Sequence, residues 1–464
     1  EWTAVQSVMI LAGSMLLVWS FWRIITRLIL TRLELMNRPN RAVLKMPGRV
    51  DLVFQIMLLT VFAIQLTAGG WANLICNELN LSGTVLLWEA GLILPFVIML
   101  MLKWYCFYPI NRYLKENIIA GQLAEGLAAR PVWSRGQYVL FQLRHGLLII
   151  LVPLLLILAF RDAAAVLFSR YGGEMGLGIR TEEAVVAAGV AGIFVFSPWL
   201  LRRIWSTRTL PGGPLRERLE EFCRGLKLKY HDILLWDTYS AVANAAMMGL
   251  FPPVRYILLS DHLIENMPDE QIEAVFGHEI GHVKHHHILF FVVFVLGSGF
   301  WGMLLYAFCG WMLQNHIVMA MGGVDYSGYV LSGGSVLAAA GWFLVFGWVS
   351  RRFERQADVY GAVAAARQAE ETEGKGRLPV RGAMIMGAAL ERIAMLNGIS
   401  MSSRSWRHSS IASRIGFLRR LASEDGAYPR FRRSLVLVKT GIVMLVLAGA
   451  AGYGLVNWLA REAL

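Results

Sequence analysis

The sequence predicts a mainly α-helical membrane protein, a polytopic bundle of about eight transmembrane helices that carries a small α+β domain. Its 464 residues are 56% hydrophobic and 16% charged, a composition that departs from soluble globular proteins towards membrane proteins. Apolar segments of roughly 20 residues, the length that crosses a bilayer, occur eight times. They lie near residues 5–30, 50–69, 84–108, 138–160, 183–201, 288–313, 330–350 and 434–459.

The distribution of Lys and Arg predicts the orientation of these segments. The formal net charge is +12, and many of the basic residues flank apolar segments, so we expect no nucleic-acid partner. The loops at 70–83 and 314–329 contain neither Lys nor Arg, whereas the alternate loops are basic. Because basic residues accumulate on the cytoplasmic side, both termini are predicted outside. The polar blocks 202–287 and 351–433 are then predicted to face the cytoplasm, in a bacterial inner membrane.

The segment order divides the chain into five predicted parts, of which 207–287 has the pattern of a small α+β unit. Residues 215–226 are amphipathic at helical spacing, and residues 231–236 and 254–259 have the composition of strands. Residues 240–248 are predicted to form a third, edge-like strand, to which an extended peptide can add. The predicted parts are 1–206 with five transmembrane helices, 207–287, 288–350 with helices six and seven, 351–433, and 434–464 with the last helix.

The motif His278-Glu279-Ile280-Gly281-His282 predicts the chemistry. On a helix, the two histidines lie one turn apart on one face, near enough to share a Zn²⁺ ion, with Glu279 beside them to polarise a bound water. The helix has independent support, because Pro268 stands at a plausible first helical position and acidic residues follow it. The pattern therefore predicts one Zn²⁺ per chain and zinc-assisted amide hydrolysis.

Residues after His282 do not complete the ligand set in an obvious way. A catalytic zinc typically has three protein ligands and a water. The spacing of a Gly and a further His, three and six residues after His282, is absent, because His285 and Ile288 stand there. Three ligands on consecutive turns of one straight helix converge poorly, which disfavours His286. The run His285, His286 and His287 is therefore predicted to be a polar junction between the helix and the membrane.

Glu354 is the better candidate for the third ligand. It lies just beyond the cytoplasmic end of the seventh apolar segment, on the same predicted side as His278. Asp358 follows one helical turn later, where it can accept a hydrogen bond from a ligand imidazole and fix its tautomer. Spacing alone also allows Glu354 to be a surface carboxylate in a charged run.

These two motifs together, His278-Glu-Ile-Gly-His282 and Glu354-Arg-Gln-Ala-Asp358, resemble a family of integral-membrane zinc metalloproteases. This gluzincin family includes type I CAAX prenyl proteases and bacterial HtpX-like proteases. The resemblance covers roughly 200–420 by motif and implies a zincin-like catalytic domain. Five segments before the first motif and two between the motifs are similar to the CAAX protease arrangement, whose helices enclose an intramembrane chamber. The eighth segment departs from that seven-span pattern.

Two further elements are similar to parts of the same family. Asn244-Ala245 is similar to an Asn-Ala edge strand that binds the substrate backbone. The stretch from His408 to Arg414 is similar to a His-Pro-x-x-x-x-Arg element, although Ser409 replaces the proline. In that element the His assists the oxyanion and the Arg organises the site. The resemblance thus implies catalytic Glu279, His408 and Arg414, zinc ligands His278, His282 and Glu354, a supporting Asp358, and substrate contacts at Asn244 and Ala245.

The predicted function is a membrane zinc metalloendopeptidase that cleaves membrane-associated, prenylated or misfolded proteins at the cytoplasmic face. One alternative is a site-2-type intramembrane protease, in which this motif normally lies within a membrane segment. Here polar, acidic residues precede it. The other alternative is a non-enzymatic zinc transporter or sensor that uses His285 to His287 as a loading patch. A general base at Glu279 has no purpose in such a protein. The sequence predicts no oligomeric state.

Overall fold

A computed structural model of the protein describes residues 3–35, 46–127, 130–173, 178–312, 327–368 and 376–462. Most of the predicted loop at 314–329, which contains neither Lys nor Arg, lies outside these residues. The chain divides into two compact units. The first comprises Glu1–Thr209, Tyr230–Val242 and Phe251–Tyr256, and the second comprises Leu210–Lys229, Ala243–Leu250 and Ile257–Leu464.

Long apolar helices make up most of the first unit. Among the described residues of this unit, five helical segments are long and apolar enough to cross a membrane, as the sequence predicts. A buried Lys103 links two of these helices, because its Nζ lies 2.9 Å from Asp51 Oδ1 and donates to Gln55 Oε1 at 2.9 Å. The helices are α1 (Ala4–Leu35), α2 (Met46–Thr67), α3 (Trp71–Asn73), α4 (Leu87–Ala124), α5 (Arg135–Gln142), α6 (Leu148–Tyr171) and α7 (Ile179–Ile204), with π-helical turns at Leu74–Glu78 and Leu143–Leu147.

The first unit also contains a strand pair. Strand β1 (Thr207–Thr209) runs antiparallel to β2 (Asp232–Trp236), with Thr207 opposite Trp236. Ile233 and Leu234 of β2 are fully buried. Because consecutive side chains of a strand point to opposite faces, both faces of β2 are covered at this position. Strand β2 begins one residue later than the predicted segment 231–236.

Within its described residues, the second unit contains eight helices and a strand pair. Three of these helices are candidate membrane spans, so the described part of the chain contains the predicted eight. Strand β3 (Ala245–Met248) pairs with β4 (Tyr256–Ser260) along one edge, and no other described strand pairs with it. The helices are α8 (Pro214–Gly225), α9 (Asp261–Asn266), α10 (Asp269–Lys284), α11 (His287–Met312), α12 (Ser327–Gln368), α13 (Val380–Leu396), α14 (Ile411–Ser423) and α15 (Ala427–Glu462).

Three local predictions differ from the structure. Strand β3 covers only four residues of the predicted 240–248. Its start is delayed because Tyr239 and Ser240 have positive φ angles of 56° and 54°, which interrupt an extended chain. A 3₁₀ turn at Pro252–Val254 occupies the start of the predicted strand 254–259. Pro268 is the N-cap of α10 rather than its first helical residue.

Candidate metal centre

Glycines bring α10 and α12 into close contact. A Cβ atom on Gly361 of α12 would lie 2.7 Å from the carbonyl oxygen of Ala274 and 3.0 Å from the backbone nitrogen of His278. A Cβ on Gly281 of α10 would lie 3.0 Å from Cβ of Tyr360. A side chain at either position would collide with the facing helix. Glycine therefore allows the backbones of α10 and α12 to lie close together.

The predicted metal ligands meet at this helix contact. The Nε2 atoms of His278 and His282 are 3.2 Å apart. Glu354 Oε2 lies 3.9 Å from His278 Nε2, and Glu354 Oε1 lies 3.8 Å from His282 Nε2. Donors about 2.1 Å from a tetrahedral zinc are roughly 3.4 Å from one another. Two imidazole nitrogens and a carboxylate at these separations therefore fit a single Zn²⁺ ion.

A charged pair supports His278. Its Nδ1 lies 3.0 Å from Oδ1 of Asp358, which is fully buried. Arg414 donates two hydrogen bonds to the same carboxylate, one of them from Nε to Oδ2 at 2.8 Å. Burial lowers the pKa of His278, but the nearby carboxylate of Asp358 outweighs it and raises that pKa. Burial also opposes the charge of Arg414, yet Asp358 raises the Arg414 pKa.

A neutral chain of contacts supports His282. Its Nδ1 lies 2.9 Å from Nδ1 of His287, and Nε2 of His287 lies 3.0 Å from Oε1 of Gln356. The His287 ring is fully buried and stacks on Phe353 with centroids 4.4 Å apart. Burial and the nearby His278 lower the pKa of His282 to about 4.

The three histidines after the motif thus have different positions. Helix α10 ends at Lys284, and His286 occupies the following turn with a positive φ of 56°. It is therefore not one turn further along the motif helix. His287 begins α11, which is consistent with its predicted place at a junction. Its contact with His282 was not predicted.

Glu279 faces a cleft of about 420 Å³ that the candidate ligands also line. Burial raises the pKa of this carboxyl to about 7, with a further contribution from Glu354. The nearby His278 and a hydrogen bond donated by the backbone N–H of Met247 oppose the shift. A carboxyl group with a pKa near neutrality can take up and release a proton at physiological pH.

The remaining predicted residues also line this cleft. They include Asn244, Ala245, His408 and Arg414. The side chain of His408 is 48% exposed, and its Nδ1 lies 3.0 Å from Glu354 Oε2. Arg414 is buried instead and donates from Nε to Asp358 Oδ2.

Asn397 binds the backbone of Ala243, two residues before strand β3 begins. The sequence did not predict this contact. Ala243 donates its backbone N–H to Asn397 Oδ1 at 3.0 Å, and Asn397 Nδ2 donates to the Ala243 carbonyl at 2.8 Å. Asn244 donates its N–H to Ser260 Oγ at 2.9 Å and accepts from the Ser260 N–H at 3.0 Å. These bonds leave the exposed Asn244 side chain at the cleft end of the strand.

Comparison with known proteins assigns the part of the chain that carries this centre. Residues 212–417 match Peptidase family M48. This region is similar to that family. The match spans both motifs and confirms the resemblance to CAAX prenyl proteases and HtpX-like proteases.

Individual relatives of the M48 region match over short stretches. A CAAX prenyl protease 1 homolog of Arabidopsis thaliana is 41% identical over 81 residues, 17% of this chain and 19% of the relative. A Protease HtpX homolog of Aeropyrum pernix is 25% identical over 128 residues, 27% of this chain and 40% of the relative. The chain thus spans well under half the length of these curated relatives. The crystal structure of S. mikatae Ste24p aligns with a TM-score of 0.43 and 14% identity, covering 88% of this chain and 97% of that chain.

Proposed function

We propose that the chain is a membrane-embedded zinc metalloendopeptidase. The observation that carries the proposal is the convergence of two imidazoles, one distant carboxylate and Glu279 in a single cleft. His278, His282 and Glu354 would hold the ion. Bound Zn²⁺ supplies a Lewis acid that acidifies water and polarises a scissile carbonyl.

The chain's own residues carry the proton transfers and the positioning. Glu279 accepts a proton from the attacking water and delivers it to the leaving nitrogen, which a pKa near neutrality permits. His408 is exposed at the cleft and donates a hydrogen bond to the developing oxyanion. Arg414 acts through Asp358, whose position it fixes by two hydrogen bonds.

Strand β3 and helix α11 suggest how substrate reaches the centre. Among the described strands, β3 pairs only with β4, so an extended peptide can pair along its other edge beside Asn244 and Ala245. Ile288 and Phe291, in the first turns of the membrane span α11, line the same cleft. Substrates are therefore protein segments presented at the membrane boundary, including prenylated or misfolded proteins. The Lys and Arg pattern supports cleavage at the cytoplasmic face.

Glu279→Gln tests the proposal directly. The amide keeps the shape of the side chain but cannot take a proton, so cleavage of an unfolded, membrane-anchored reporter protein is expected to stop while zinc stoichiometry stays at one per chain. Glu270→Gln is the matched control, because Glu270 is exposed on the same helix and pairs with Arg381 at 3.6 Å. Unchanged cleavage by the Glu279→Gln variant would remove the base assignment. Zinc binding without cleavage by the unmodified protein would favour a transporter or sensor.

A further inference from the structure

A small pocket in the first unit is lined by arginines from two helices. It has a volume of about 150 Å³ and lies among α1, α4 and α5. Arg23 and Arg27 come from α1, and Arg135 comes from the start of α5. Ligand pockets for drug-sized molecules are roughly 300–1,000 Å³, so this pocket suits a smaller group.

No carboxylate balances these three charges within the described part of the chain. Among the described residues, the arginines that form ion pairs with carboxylates are different ones. Arg161, for example, pairs with Glu89 and Asp162. Arg23 and Arg27 are also four residues apart on one helix, where like charges repel each other. Three cations around one pocket with no acidic partner favour an anionic ligand.

The aromatic neighbours orient the guanidinium groups. Arg23 lies over the Trp19 ring at 5.0 Å from its centroid, and Arg135 lies over the Tyr105 ring at 4.5 Å. A guanidinium group over an aromatic ring is held without a carboxylate acceptor, so its N–H groups remain able to donate to an anion. Thr26 lines the same pocket, is only 3% exposed, and its hydroxyl has no hydrogen-bond partner among the described residues.

We propose that this pocket binds a phosphate group, supplied by the headgroup of an anionic phospholipid. A phosphate offers several oxygen acceptors to the forked N–H donors of arginine. The pocket is formed by three helices, α1, α4 and α5, that are or begin candidate membrane spans, so a lipid can reach it from the bilayer. The alternative source of the same chemistry is free inorganic phosphate.

Titration of the full-length protein in detergent with phosphatidylglycerol tests the proposal. Phosphatidylcholine and inorganic phosphate are titrated in parallel, and the midpoint of thermal unfolding gives the apparent affinity. Phosphatidylglycerol is expected to raise the midpoint more than phosphatidylcholine. Arg23→Gln and Arg27→Gln are each expected to weaken the apparent affinity for phosphatidylglycerol about ten-fold, since each removes one charge-assisted donor.

Arg32→Gln is the matched control for these variants. Arg32 is exposed on α1 and does not line the pocket, yet its replacement removes the same charge from the same helix. It is expected to bind phosphatidylglycerol as the unmodified protein does. An equal loss in Arg32→Gln, or equal responses to both lipids, would overturn the proposal. Competition by inorganic phosphate at the same arginines would keep the phosphate site and identify the source as the free ion.

Discussion

His278 and His282 lie one turn apart on α10, yet opposite kinds of neighbours hold them. Nδ1 of His278 meets the buried Asp358, which also binds Arg414 through two hydrogen bonds. Nδ1 of His282 meets another imidazole, His287, which continues to a neutral side-chain amide. The metal-facing nitrogens of the two rings are alike, while their supports differ in charge.

This difference sets the protons on the two rings. The pKa of His278 is raised by Asp358 against the effect of burial, whereas burial and the nearby His278 lower the pKa of His282 to about 4. A charged support therefore orients the imidazole ring. It also stabilises a proton on that ring, and this proton competes with a metal ion. A neutral support orients the ring and leaves its lone pair available.

The tautomers of the neutral chain follow from its contacts. When Nε2 of His282 faces the ion, its Nδ1 must carry the hydrogen. Nδ1 of His287 then accepts that hydrogen bond at 2.9 Å. Nε2–H of His287 in turn donates to the Gln356 oxygen at 3.0 Å. We infer that His287 and Gln356 act as positioning residues for His282.

Replacement of Glu354 should have the largest effect. It changes a candidate zinc ligand itself, whereas the other variants change the support of one imidazole. Glu354→Gln is expected to lower zinc affinity by more than the roughly 10–100-fold that loss of an outer hydrogen-bond partner costs. Competition with a zinc chelator measures it. Glu391→Gln, an exposed change on α13, is the control. Zinc affinity within ten-fold of the unmodified protein would show that Glu354 is not a ligand.

Replacement of Asp358, the charged support of His278, should have the second largest effect on zinc affinity. Asp358→Asn keeps an oxygen near His278 but strands the buried Arg414, so zinc affinity is expected to fall about 100-fold and the free energy of unfolding by about 3–5 kcal/mol. Chelator competition and chemical denaturation measure the two effects. The double variant Asp358→Asn, Arg414→Gln removes the stranded charge and should recover stability but not zinc affinity. Recovery of both would show that Asp358 supports only the fold.

Features that depend on apolar length or on a short motif could be predicted from the sequence. The eight candidate spans follow from uninterrupted apolar segments, since a bilayer demands length whatever the packing. The position of Glu354 followed from the end of such a segment, because α12 continues as one helix from the span into the centre. The sequence therefore predicted that His278, His282 and Glu354 come together.

Contacts that depend on where a helix ends or on distant pairing could not be predicted. No glycine marks the end of α10 at Lys284, so nothing separated His287 from the two histidines before it. Asn397 and Ala243 are 154 positions apart, and their pairing arises only when α13 packs beside strand β3. The glycine contact between α10 and α12 is likewise a property of the packed pair.

Removal of the neutral support should have a smaller effect than removal of the charged one. His287→Phe keeps the ring stacked on Phe353 but removes the acceptor for His282, so zinc affinity is expected to fall about ten-fold. His285→Phe is the matched control, because no His285 hydrogen bond reaches a candidate ligand within the described residues. An equal loss in both variants would indicate a general packing effect. No loss in either would remove His287 from its positioning role.

The finest test counts the protons that zinc displaces. At about pH 6, His278 with its raised pKa is protonated, whereas His282 with a pKa of about 4 is neutral. Zinc binding should therefore release about one proton, and that proton comes from His278. The Glu279→Gln background removes the other nearby group whose pKa, about 7, would contribute.

Calorimetric titration in two buffers of different ionisation enthalpy measures this release. Asp358→Asn removes the charge that raises the His278 pKa, so burial should dominate and the proton release should fall towards zero. His287→Phe leaves that charge in place and should still release about one proton, even though it binds zinc more weakly. If the two variants lost the proton equally, the charged and neutral supports would not differ in the way that their contacts require.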